Sequence, residues 1–160
     1  MKSRAADPKT LDALLAGIAA APPLVIAGLA LDSRAVRKGD AFIALRGGSG
    51  HGLEHQLQAI AAGAGAVLWD PGEGRTPEAV PDRVAQVPVA ALRSRLGEIA
   101  DRFYGSPSSR LAVAGVTGTN GKTTCAWLLA SAANGATRRG AYLGTLGSGL
   151  PGAVLPAAHT

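Results

Sequence analysis

Carboxylates run out early in this chain: no Asp or Glu follows Asp101, so residues 102–160 offer nothing acidic to complete a divalent-metal shell. No Lys follows Lys122. Cysteine occurs once, at Cys125, which excludes an internal disulfide; its place on a predicted helix reads as a small buried apolar residue. Aromatics are only 4% of the chain, so Ala, Val and Leu must do the packing, and no aromatic interleaving is present that could stack nucleic-acid bases. The three histidines, His51, His55 and His159, are too scattered to build a metal cluster; His51 and His55 can at best share a helix face. No apolar run is long and unbroken enough to span a membrane. The Ala/Leu-rich stretch 11–31 is split by Pro22-Pro23, and Asp7 and Asp12 put negative charge where an export signal carries none, so a cytoplasmic protein is expected.

What is present suits one ordinary domain or two small ones: 160 residues, 47% of them hydrophobic. The net charge of +5 is dispersed, with Arg93, Arg95 and Arg102 mixed among Glu98 and Asp101 on one predicted helix. That pattern reads as a solvated face. A basic balance fits polyanionic small ligands, and no nucleic-acid partner is expected.

Turn signals and periodicity mark off a first α/β unit over 1–89, then a helical segment over 90–104, then a second unit. In the first, a short helix is expected over 10–20 with Thr10 near its cap, strands over 24–31, 41–45, 66–69 and 84–87, and a helix over 53–62. Residues 90–104 place Leu92, Leu96, Ile99 and Phe103 on one helical face, and Gly105-Ser106-Pro107 ends that helix. The second unit should open with a strand over 111–116, pass through a glycine-rich loop into a helix over 122–133, and reach a strand over 141–145.

That loop is the most informative segment: Val113 to Thr124 reads Val-Ala-Gly-Val-Thr-Gly-Thr-Asn-Gly-Lys-Thr-Thr. Bare backbone at Gly115, Gly118 and Gly121 lets several N–H groups converge on phosphate oxygens at a helix N-terminus. Lys122 supplies a mobile cation for the outer phosphates, and the Thr123 hydroxyl is placed to ligate magnesium. The general phosphate-loop rule requires a glycine five residues before Gly121, where this chain has Val116. The segment instead matches, residue for residue, the Gly-x-Thr-Gly-Thr-Asn-Gly-Lys-Thr-Thr variant of the Mur ligase family, which it resembles.

A second block carries the same resemblance. Leu31-Asp32-Ser33-Arg34, then Val36, Gly39-Asp40, Phe42, Ala44, Gly47, Gly52, Ala59, Gly63-Ala64, Ala66 and Leu68 are spaced as in the uridine-nucleotide-binding first domain of that family's MurE-type branch. The resemblance runs from Leu24 to Thr160. It implies a small UDP-MurNAc-binding domain over 1–89 and, over 90–160, the first β-loop-α-β of a mostly parallel-sheet ATPase domain. It also implies ATP and Mg2+ as cofactors, with Gly118, Thr119, Asn120, Gly121, Lys122, Thr123 and Thr124 around the phosphates, Lys122 as catalytic cation and Thr123 on the metal. Leu31 and Ser33 would touch the UDP part, with the loop 48–50 close by, and His159 and Thr160 would begin the segment that holds the sugar-peptide.

The activity implied is ATP-dependent amide ligation through an acyl phosphate, joining a diamino acid, meso-diaminopimelate in preference to L-lysine, to UDP-MurNAc-L-Ala-D-Glu. A monomer is expected, with no membrane partner. Because only 38 residues follow Lys122 and carboxylates are missing there, the chain reads as an N-terminal fragment, inactive alone. The alternative is a noncatalytic nucleotide-binding or regulatory module. Without the family context, Asp32-Ser33-Arg34 would read as a strand end held by local side-chain to backbone bonds.

Overall fold

The computed structural model describes residues 9–48, 50–135 and 139–156. Two compact units emerge, one ending at Leu111 and the other beginning at Ala112.

The first unit opens with β1 (Lys9–Thr10) and a single helical turn, α1 (Leu11–Leu14). The helix expected to reach residue 20 stops early, and the chain turns through Gly17 in the left-handed region. The single strand expected over 24–31 is two: β2 (Val25–Ile26), antiparallel to β1, and β3 (Leu29–Ala30), parallel to β4 (Ala41–Ala44). The break falls at Gly28, where a Cβ would sit 2.5 Å from the Asp40 carboxylate.

After β4 come a 3-10 turn (Gly52–His55) and α2 (Gln56–Ala61), then β5 (Ala66–Trp69), β6 (Ala85–Pro88) and α3 (Leu92–Tyr104). Strands β3-β4-β5-β6 form one parallel sheet in sequence order. A parallel sheet must be covered on both faces, and the alternation along β4 does this. Ala41 and Ile43 join Leu11, Leu14, Leu92, Ile99 and Phe103 on one face, while Phe42 and Ala44 join Val36, Leu53, Ala59 and Val67 on the other. Helix α3 therefore packs within the first compact unit, which runs to Leu111. Arg102 of α3 strengthens this packing by donating to the Leu14 and Ala16 carbonyls at the open end of α1.

The second unit departs further from the sequence reading. Residues 111–116 form no strand; Leu111 and Val113 are exposed, and no described strand runs alongside to complete a ladder. Helix α4 (Lys122–Ala132) forms as expected, but β7 (Tyr142–Gly144) pairs with β8 (Gly147–Leu150) and β9 (Ala153–Leu155) in an antiparallel meander, not a parallel crossover. Trp127 meets Tyr142 edge to face at 5.6 Å. Cys125, read as buried, is exposed, because α4 buries only Ala130.

Candidate functional site

In a parallel sheet every strand points its carboxyl end the same way, and the loops leaving those ends form a rim where ligands bind. Here the rim is built by residues 31–34 after β3, 46–48 and 50–55 after β4 and 70–75 after β5, and it holds two cavities.

The first, about 350 Å³, is lined by Leu31, Asp32, Ser33 and Arg34 with Phe42, Gly52, His55 and Gln58. Leu31 is 60% exposed at its mouth. Asp32 accepts the Arg34 N–H at 2.9 Å and grips the same residue's guanidinium through Nε at 2.9 Å and a terminal nitrogen at 2.8 Å. Those hydrogen bonds, then the opposite charge of Asp32, raise the Arg34 pKa. The local reading of this strand end therefore holds for Asp32. Ser33 differs: it is buried and donates its hydroxyl to Gln58 Oε1 at 2.7 Å, tying the loop to α2. Gln58, which no sequence motif singled out, thus shares the cavity wall with the two predicted contacts.

The second cavity, about 200 Å³, has Arg46, Gly48, Gly50 and Glu54 on one side and Glu73 and Arg75 on the other. His51 and His55 do not share a helix face: His51 precedes the 3-10 turn and lines this cavity, while His55 ends the turn and lines the other. The ring of His51 is buried; its Nδ1 accepts the Leu53 N–H at 3.1 Å and its Nε2 lies 2.7 Å from Glu73 Oε2. Sequence reasoning missed both residues, since Glu73 sits in a Pro/Gly-rich stretch with no periodicity.

In the second unit, Gly118 and Gly121 adopt φ of +145° and +76°, conformations closed to most side chains, and a Cβ at Gly118 would approach the Asn120 carbonyl. This is a bare cradle. Lys122 folds over it and donates Nζ to the Gly118 and Thr119 carbonyls, so a cation already sits at the loop. Thr123 Oγ1 lies 3.1 Å from Thr145 Oγ1. These residues fit a nucleotide's phosphates. For magnesium they offer hydroxyls alone, and the described residues contain no cluster of acidic, His or Cys side chains able to hold a metal. The predicted contacts His159 and Thr160 lie outside the described residues.

Comparison with known proteins follows the same lines. The model of the family described as "Mur ligase family, catalytic domain" matches residues 25–104, within the first unit. A UDP-N-acetylmuramoyl-L-alanyl-D-glutamate–2,6-diaminopimelate ligase of Xanthomonas campestris pv. campestris is 45% identical over 150 residues, covering 94% of this chain and 30% of the relative. A ligase of the same name from Alkalilimnicola ehrlichii is 47% identical over 143 residues, covering 84% of this chain and 28% of the relative. The chain thus spans under a third of the length of these curated relatives. Among solved structures, a MurF from Acinetobacter baumannii superposes with a TM-score of 0.61 at 26% identity, over 79% of this chain and 27% of the other.

Proposed function

The chain belongs to the Mur ligase family, and from that premise we propose that it serves ATP-dependent ligation of diaminopimelate to UDP-MurNAc-L-Ala-D-Glu in the cytoplasm, for the building of peptidoglycan precursors. The observation that carries this reading is the 45% identity, over 94% of the chain, to ligases named for that reaction.

The two units divide the work. The rim of the first takes the uridine nucleotide: Leu31 offers an exposed apolar surface, and the Ser33–Gln58 pair presents amide and hydroxyl groups suited to a base edge. The loop of the second takes ATP, with Gly118, Thr119, Asn120 and Gly121 lending backbone and Thr123 and Thr124 lending hydroxyls at the start of α4. ATP, when bound, supplies the phosphoryl group that activates the substrate carboxylate. Lys122, now on two carbonyls of the loop, would turn to the phosphate oxygens and supply the positive charge that phosphoryl transfer needs. Thr123 would lend one hydroxyl to magnesium. Carboxylates for that ion are not supplied by residues 102–160.

The test is isothermal titration of the chain with UDP-MurNAc-L-Ala-D-Glu and with UDP, using an RNA oligonucleotide as comparator. Saturable binding of both uridine ligands without RNA binding is expected. A folded chain that ignores UDP would overturn the assignment of the first unit.

A further inference from the structure

His51 is the one residue of the rim whose two ring nitrogens reach in different directions to bind different loops. Its Nδ1 takes the Leu53 N–H at the start of the 3-10 turn, and its Nε2 meets Glu73 at 2.7 Å across the second cavity. Neither that nitrogen nor the Glu73 oxygen makes a hydrogen bond among the described residues, so this close contact is the polar company each has in a buried place.

The loop that His51 closes is short and otherwise held by backbone bonds and by the Arg93 guanidinium, which donates to the Arg46 carbonyl. Arg46 and His51 face each other in an antiparallel bridge; Gly47 N–H donates to Gly50 at 2.7 Å and Gly52 N–H to Leu45 at 2.8 Å. A Cβ at Gly48 would meet nothing within 4 Å, so that backbone is open to a ligand. The opposite wall is itself anchored, because Asp70 caps the turn bearing Glu73 through the Gly72 N–H at 2.9 Å. Of the cavity's charged side chains Glu54 pairs with Arg75 at 3.1 Å, while no carboxylate among the described residues pairs with Arg46, which leaves that guanidinium to meet an anionic group.

We propose that His51 is a positioning residue: by joining the loop after β4 to Glu73 in the loop after β5, it holds the Gly48 and Gly50 backbone in the shape that receives the diphosphate of a uridine nucleotide. This rests on the uridine reading above and adds to it which cavity takes the anionic part. Loosening the clamp therefore weakens UDP and spares uridine, which has no phosphate to place.

The experiment compares UDP and uridine binding, by NMR shift titration, for the wild-type chain, His51→Asn, Glu73→Gln and the double variant. Asn retains an oxygen for the Leu53 N–H but is too short to reach Glu73, and Gln is nearly isosteric with Glu. Each single variant is expected to lose about tenfold in UDP affinity, the scale of one charge-assisted hydrogen bond, with uridine unchanged. The double variant should be no weaker than either single. Wild-type UDP affinity in both single variants, or equal losses for UDP and uridine, overturns the inference. If His51→Asn fails to fold by circular dichroism, Glu73→Gln decides alone. A wild-type chain that binds neither ligand brings down the uridine reading itself, a result distinct from selective failure of the variants.

Discussion

Asp70, at the end of β5, accepts the backbone N–H of Leu92 at 3.1 Å and so caps α3 from 22 residues upstream. The helix has no cap of its own: Ala91 precedes it with φ of +53° and no side-chain acceptor. The other Asp70 oxygen holds the Gly72 N–H, so one carboxylate fixes both the rim turn and the helix that covers the sheet.

Replacing Asp70 should therefore cost more than a surface carboxylate does. Asp70→Ala is expected to lower unfolding stability by about 2 kcal/mol, with Asp70→Asn recovering part of it through its remaining acceptor. Urea unfolding followed by circular dichroism measures both; a wild-type midpoint for Asp70→Ala would refute the cap.

Gly52 lies against the backbone of β4. A Cβ there would stand 2.7 Å from Ala44 Cα and 2.8 Å from Leu45 N, atoms that belong to a central strand and cannot step aside. Gly52→Ala is expected to destabilise by roughly 1–3 kcal/mol, as overpacking does, and to widen the rim between the two cavities. Thermal unfolding reads the first effect, and a melting temperature at or above wild type would contradict it.

Ser33 joins two roles in one hydroxyl. Removing it in Ser33→Ala leaves Gln58 Oε1 without this donor and should cost about 1 kcal/mol of stability. It should also weaken UDP binding, whereas Ser33→Thr, keeping the hydroxyl, should retain more of it. Titration calorimetry with UDP distinguishes the two; equal affinity across all three proteins would remove Ser33 from the site.

Lys122 is exposed at the loop, and its bonds go only to its own turn. Lys122→Ala should leave the circular dichroism spectrum and melting temperature of the chain unchanged. In a full-length protein carrying the substitution, ATP turnover should fall to background. Normal turnover there would sink the phosphate-loop assignment.

Much of the first unit was legible because its signals are local. The run Ala66–Trp69 is bounded by Gly65 and Asp70-Pro71, and it forms β5 at those positions; the spacing of Leu92, Leu96, Ile99 and Phe103 places one face of α3 on the core. The second unit was less legible. Residues 111–116 are apolar and β-prone, but a strand exists only if a neighbour accepts its hydrogen bonds, and propensity says nothing about the neighbour. The same limit applies to Cys125: a small apolar residue on a helix announces burial, while the surface that would cover it is a matter of tertiary contacts.

By itself the sequence determined the chemistry on offer: the glycines and Lys122-Thr123-Thr124 of a phosphate cradle, the Leu31-Asp32-Ser33 strand end, and the absence of any carboxylate beyond Asp101. It could do so because backbone freedom, charge and hydroxyl placement within a few residues are set by side-chain identity alone. Only the tertiary structure decided that Ser33 turns to Gln58, that His51 reaches Glu73, and that Asp70 starts a helix it does not belong to. Each pair joins segments more than 20 residues apart in the sequence, and only the folding of the parallel sheet brings them together.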